Sequence, residues 1–234
     1  HGQAQAEISA EKFTKLGYLK FISHLDLVDL FQRTLFQNKV DVKFSEGFNP
    51  HPRMSIAYPL PLGIESNSEY MEIYLNSKID LKDFLIKMNE RLPQGIKIVE
   101  AKYDDDESIS NKVKSVVYAF KLLNTFYDKN KDIDLAKELN KVNAMDIVEI
   151  ERKRKKGKRR IFVKENAKDY LNRLELKDEA IYAYIKMSEN GSLKPALVFD
   201  ILNNYTNITM DELDIDLERV GLYQDEEGTK EIFL

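Results

Sequence analysis

Two of the chain's three histidines stand among groups that can move a proton or hold charge. His24 lies in Ser23-His24-Leu25-Asp26, and His51 in Ser45-Glu46-Gly47-Phe48-Asn49-Pro50-His51-Pro52-Arg53. An imidazole titrates near neutrality, so two that face each other can serve as general acid and base in cleaving RNA. Together with Asp26 they could also hold a metal, but the 27-residue gap between them is not a metal-site spacing. The structural alternative has His24 beside a helix cap and His51 packed in a proline loop. A helix N-terminus disfavours the imidazolium, so His24 is expected as a neutral ring. Four of the six prolines fall between Pro50 and Pro61, with Gly47 and Gly63 at the flanks. Proline fixes φ and glycine admits positive φ, so this stretch reads as a stiff, non-repetitive loop of the kind that often carries function. Ser23, His24, Asn49, His51 and Arg53 are expected to line one pocket, with Arg53 on a phosphate or carboxylate. Glu65 and Glu69 could pair as carboxylates, but no acid–base partner for them is identifiable.

A second constellation is purely cationic. Arg152, Lys153, Arg154, Lys155, Lys156, Lys158, Arg159 and Arg160 place eight basic residues in nine, interrupted by Gly157. On a two-stranded ribbon such side chains suit phosphate contacts. The turn has no aromatic neighbours, so it is expected to position RNA rather than read its bases. The alternative is a solvated loop that docks on an acidic surface. One candidate is the chain's own Asp200–Leu234 segment, with ten acidic and two basic residues.

These residues need a scaffold, and the apolar periodicity supplies one. Lys12–Ile22 reads as a strand. Ser23 caps a helix over His24–Asn38, with Leu27, Leu30, Phe31, Thr34 and Leu35 on one face. Val40–Phe44, Arg53–Tyr58 and Glu69–Leu75 read as strands, Asp80 caps a helix ending at Pro93-Gln94-Gly95, and Ile96–Ala101 is a strand. This β-α-β-β-α-β order builds a ferredoxin-like sheet. The order recurs through strands at Lys114–Leu123, Asp146–Arg154, Arg159–Glu165 and Ile181–Met187, with helices at Ile133–Ala144 and from Ser192 to about Asn204. Thr209 with Glu212 reads as a capping box, and Val220–Gln224 with Lys230–Leu234 as a closing hairpin.

The expected architecture is therefore α+β, with two ferredoxin-like halves able to share a continuous antiparallel sheet. Its boundaries are a disordered segment 1–11, a first half 12–103, an acidic linker 104–112 and a second half 113–234 carrying the basic hairpin 152–160. At 234 residues the chain can bury a substantial core. The absence of cysteine excludes disulfides, thiolate metal sites, a cysteine nucleophile and a cysteine-ligated iron–sulfur cluster. No apolar run reaches membrane-spanning length and no leader pattern opens the chain, so a cytoplasmic location, without membrane contact, is expected.

Several blocks resemble a known family. Gly17–Leu27 (GYLKFISHLDL), Ser45–Pro52 and Pro61-Leu62-Gly63-Ile64-Glu65-Ser66 are similar to a bacterial radical-SAM-associated family of unknown function. Its members stand beside a B12-binding-type radical SAM protein or are fused to it. The likeness spans about residues 12–75, with Arg33 at the family's helix arginine and Glu69-Tyr70 at its acidic–aromatic pair. It implies a radical SAM protein as partner and points to Ser23, His24, Asp26, Arg33, Gly47, Phe48, Asn49, His51, Arg53 and Glu65 as contacts to substrate or partner. Leu85–Ala101 further resembles TruA-type tRNA pseudouridine synthases, which are built from two ferredoxin-like halves. Their catalytic Gly-Arg-Thr-Asp loop corresponds here to Gly47-Phe48-Asn49-Pro50-His51, and Asn49 cannot act as a carboxylate. That likeness implies the fold and RNA binding, not the reaction. The expected role is a non-catalytic protein, without a cofactor or metal of its own, that binds RNA (tRNA or rRNA) or presents substrate to a radical SAM enzyme. The alternatives are an RNA-processing enzyme using His24 and His51, and a protein-only adaptor.

Overall fold

The computed structural model describes residues 7–104 and 107–233, and the chain divides after Lys112 into two compact units. In the first unit β1 (Glu7–Lys15) leads through a 3-10 turn at Gly17–Phe21 into α1 (His24–Gln37). β2 (Met54–Ile56), β3 (Glu65–Leu75), α2 (Leu81–Arg91), β4 (Ile96–Tyr103) and the short α3 (Ile109–Lys112) follow. The strands lie in the order β4-β1-β3 with β2 on the far edge of β3, and each neighbouring pair is antiparallel. This is the sheet order of a split βαββαβ unit.

The helices form where the sequence caps them and gives them one apolar face. Ser23 Oγ accepts from the Asp26 N–H at 3.1 Å, and Asp80 Oδ1 accepts from the Lys82 and Asp83 N–H groups. Leu27, Phe31 and Leu35 of α1 and Phe84 and Met88 of α2 close over Phe13, Met71, Ile73, Leu75, Ile96 and Ile98 of the sheet. Phe13 and Phe31 meet edge to face, ring centroids 5.1 Å apart.

Gly95 fixes where β1 stops. Its φ is +101°, and a Cβ there would collide with the Leu16 carbonyl oxygen. Its own carbonyl accepts from the Leu16 N–H at 3.0 Å and from Thr14 Oγ1 at 3.1 Å. The first strand is thus Glu7–Lys15 rather than Lys12–Ile22, and Gly17–Phe21 turns out of the sheet. Residues 7–11 of the segment expected to be disordered belong to this strand, while residues 1–6 lie outside the described residues, as do Asp105 and Asp106 of the linker. The expected strand at Val40–Phe44 makes only isolated bridges, Val42 to Leu75 and Phe44 to Pro52.

The second unit holds β5 (Ser115–Leu122), α4 (Asn124–Lys129), α5 (Leu135–Ala144), β6 (Glu149–Lys156) and β7 (Arg159–Asn166). Next come β8 (Leu171–Lys177), β9 (Ala180–Lys186), α6 (Pro195–Tyr205) and β10 (Ile215–Tyr223). Its sheet runs β10-β5-β9-β8, again antiparallel throughout, while β6 and β7 form a separate two-stranded ribbon. The second βαββαβ set is therefore β5, α5, β8, β9, α6 and β10, with the ribbon inserted after α5. β6 and β7 are not the sheet's middle strands, as the sequence pattern had suggested.

Smaller corrections follow from local chemistry. The capping box before β10 belongs to Asp211 and Asp214, not Thr209 and Glu212, and the N-cap of α6 is Lys194, not Ser192. Ser192 is instead buried, its hydroxyl donating to the Lys186 carbonyl at 3.3 Å. The expected closing hairpin reduces to a bridge between Tyr223 and Glu231. The α+β class stands. No helix among the described residues is long and apolar enough to cross a membrane.

Candidate functional site

The loop after α1 is closed by its own side chains. Ser45 Oγ lies 3.0 Å from His51 Nδ1 and accepts from the His51 N–H at 3.2 Å, while the Ser45 N–H donates to the His51 carbonyl at 2.9 Å. The His51 ring therefore locks the ends of a five-residue excursion, which Gly47, at φ +126°, allows to reverse. Asn49 and the fully exposed Phe48 project from its tip. Arg53 leaves the loop paired through its N–H to the Lys43 carbonyl at 2.7 Å, and its guanidinium lies 4.2 Å from the centroid of the Tyr74 ring.

The loop meets α1 where Gln32 Nε2 donates to the Pro52 carbonyl at 3.3 Å. Gln32, Arg33, Phe36, Gln37, Phe44 and Pro52 line a shallow depression of about 370 Å³ there. Gln32 stands eight residues past His24, roughly 12 Å along the helix axis at 1.5 Å per residue. Two stations thus lie along α1: its N-terminus, with Ser23 and His24, and this depression, which of the loop residues 45–53 only Pro52 lines.

At the N-terminal station Ser23 both caps α1 and donates to Asp26 Oδ2 at 2.8 Å, and His24 is exposed. The buried Lys15 Nζ donates to the Ile22 carbonyl at 2.8 Å, and the Gly63 N–H donates to the Lys20 carbonyl at 2.9 Å. Glu65 Oε1 accepts from the Gly17 N–H at 3.1 Å. Glu65 is thus a clamp on the Gly17 turn. The clamps hold out apolar side chains: Tyr18 is 90% exposed, Leu25 74%, and Phe21 and Leu62 more than half. Periodicity could not find them, because each occupies a turn or the outer side of α1.

The ribbon has two unlike faces. Its register sets Lys156 opposite Arg159, Arg154 opposite Ile161 and Arg152 opposite Val163 on one face, and Lys155 opposite Arg160 and Lys153 opposite Phe162 on the other. On the first face Arg154 reaches Glu165 Oε1 through Nε (2.9 Å) and Nη2 (2.7 Å), and the Asn190 carbonyl through Nη1 (2.7 Å). Glu165 holds the guanidinium's pKa above its ordinary value. Arg152 donates to the Ser192 carbonyl at 2.7 Å and stacks 4.7 Å from the Tyr170 ring centroid. Two of the eight expected phosphate contacts therefore fasten the ribbon to its own unit. Lys153, Lys155, Lys156, Lys158, Arg159 and Arg160 are exposed.

Sequence reading missed Phe162 and Lys164, which share the outer face with Arg160. Phe162 is 66% exposed, and Lys153 Nζ lies 5.3 Å from its ring centroid. Period-two alternation along Arg160, Phe162 and Lys164 was the available signal. No cluster of three or more metal-ligating side chains with suitable geometry occurs among the described residues. The acidic cleft of Glu149, Glu151 and Asp200 is braced by Tyr205, whose hydroxyl donates to the Glu149 carbonyl at 2.8 Å.

No curated protein matches the chain. A match to a bacterial family extends over residues 10–195, from β1 through both α1 stations and the ribbon to the first residue of α6. The chain belongs to the family described as an uncharacterized protein conserved in bacteria (DUF2344).

Proposed function

We propose that this protein is a non-catalytic accessory factor that binds RNA on its ribbon and engages a radical SAM enzyme through the first unit. The observation that carries the reading is the cationic hairpin: six exposed cations project from a ribbon that two inward arginines hold in place. Fixed cations on a ribbon neutralise phosphates without the ordering cost of a mobile tail. The blocks at residues 17–27, 45–52 and 61–66 support the radical SAM partner by their resemblance, and these same blocks expose Tyr18, Phe21, Leu25, Phe48 and Leu62. Exposed aromatic and aliphatic side chains held by a stiff backbone suit a protein interface.

The enzymatic alternative is less well supported, since the loop bearing His51 meets α1 about two turns beyond His24. Filter retention of labelled tRNA and rRNA fragments tests the main reading. Retention by the wild-type chain, lost when Lys153, Lys155, Lys158 and Arg160 become serine, is expected. Equal retention by both proteins would contradict it.

A further inference from the structure

The outer face of the ribbon combines an exposed ring with a defined arrangement of charge. Side chains two residues apart on a strand share a face, about 7 Å apart. Phe162 therefore stands between Arg160 and Lys164 along its own strand, with Lys153 directly across from it and Lys155 across from Arg160. A ring two-thirds exposed on so polar a ribbon adds little to its folding, since among the described residues β6 and β7 pair only with each other. Lys153 Nζ already lies over the ring, so the ring face is presented beside a cation.

The charge is graded along the face. Lys164 pairs with Glu149 at 3.1 Å, and Glu151 stands opposite Lys164, so the base of the ribbon is neutralised. Lys153, Lys155 and Arg160 leave the outer half positive. An anion is thus drawn to the half that carries Phe162.

We propose that this face binds single-stranded RNA, with one base stacked on Phe162 and the adjoining phosphates held by Lys153, Lys155 and Arg160. This deepens the RNA reading above and rests on it. The occupant follows from the chemistry: alternating cations and an exposed aromatic ring match a strand whose phosphates alternate with unpaired bases. A duplex keeps its bases stacked on one another and offers such a ring nothing to cover. An acidic protein surface is the competing occupant, and the acidic-peptide arm of the test below separates it from RNA.

The chain contains no tryptophan, so Phe162→Trp installs a single indole as reporter. Short labelled single strands, the same strands with abasic nucleotides, and a matching duplex are titrated by fluorescence anisotropy. Phe162→Ala should weaken single-strand binding about tenfold, at the stacking strength usual for such platforms, and leave the salt dependence unchanged. Its effect should vanish on the abasic strand and the duplex. Phe162→Trp should keep wild-type affinity, and its emission should be quenched by the single strand. Equal single-strand affinity of Phe162→Ala and wild type, or an unquenched indole in a complex that forms, would overturn the stacking proposal while leaving RNA binding intact. Failure of the wild-type chain to bind any of these RNAs, or binding to heparin and an acidic peptide as tightly as to the strand, would overturn the underlying RNA reading as well.

Discussion

Arg154 and Glu165 face each other across the inner side of the ribbon, the guanidinium Nε and Nη2 sharing one carboxylate oxygen at 2.9 and 2.7 Å. The same arginine donates to the Asn190 carbonyl and the Tyr170 hydroxyl, so one side chain joins β6, β7 and the turn before α6.

Arg154→Ser should therefore act on structure. Losing a charge-assisted network of this kind costs about 2 kcal/mol where its partners stay partly buried. Lys155→Ser and Lys158→Ser, both exposed, should change stability by less than about 0.5 kcal/mol. Urea denaturation of the three variants checks this. Equal midpoints would show that the inner face does not hold the ribbon.

Gly95 places the Gly17–Phe21 turn through its contact with Leu16. Gly95→Ala combines an unfavourable positive φ with a backbone collision, and should cost about 2 to 3 kcal/mol. A thermal melt of the variant lowered by less than a degree would mean that the turn adjusts freely.

The first unit carries a buried acid. Glu11 receives a hydrogen bond from the Ser9 hydroxyl, and burial, reinforced by nearby Glu72, pushes its carboxyl well above the ordinary carboxylate range. Below the unfolded-state value, near 4.3, both states hold the proton and the group leaves stability unchanged. As pH rises through the folded-state value the unfolded chain ionises more readily, and stability is lost. Glu11→Gln should therefore be more stable relative to wild type at pH 7 than at pH 4. Melts at both pH values test the sign, and an advantage that shrinks with rising pH would refute the burial argument.

Phe48 and Leu25 touch little of the fold, so serine at either position should leave the melting temperature within a degree or two. If these side chains dock the radical SAM enzyme, both variants should lose co-purification with it. Undiminished co-purification would move the interface elsewhere.

The helices were legible because Ser23 and Asp80 cap them and Leu27, Phe31, Phe84 and Met88 repeat at helical spacing. The element order was legible in the first unit for the same reason. β8 was not, because its turn into β9 uses Asp178 and Glu179 at φ +50° and +58°, without the glycine that marks such turns. The start of β1 was obscured by Ser9 and Glu11, polar residues that face inward. In Lys12–Ile22 an apolar alternation continued past the point where Gly95 and Gly17 end the strand. The cationic ribbon could be read directly, since charge density needs no tertiary information. Which arginines point inward could not, because that depends on Glu165, Tyr170 and the backbone at Asn190 and Ser192.

The account turns on phosphates meeting the ribbon, and the salt dependence of RNA binding measures that directly. Each neutralised phosphate on a single strand contributes about −0.7 to the slope of log K against log salt, so four contacts give roughly −3. Replacing Lys153, Lys155, Lys158 and Arg160 by serine should flatten that slope by about 2 to 3 units and weaken all sequences alike, without altering stability. A slope unchanged in the variant would show that these cations do not face phosphates and would contradict the account.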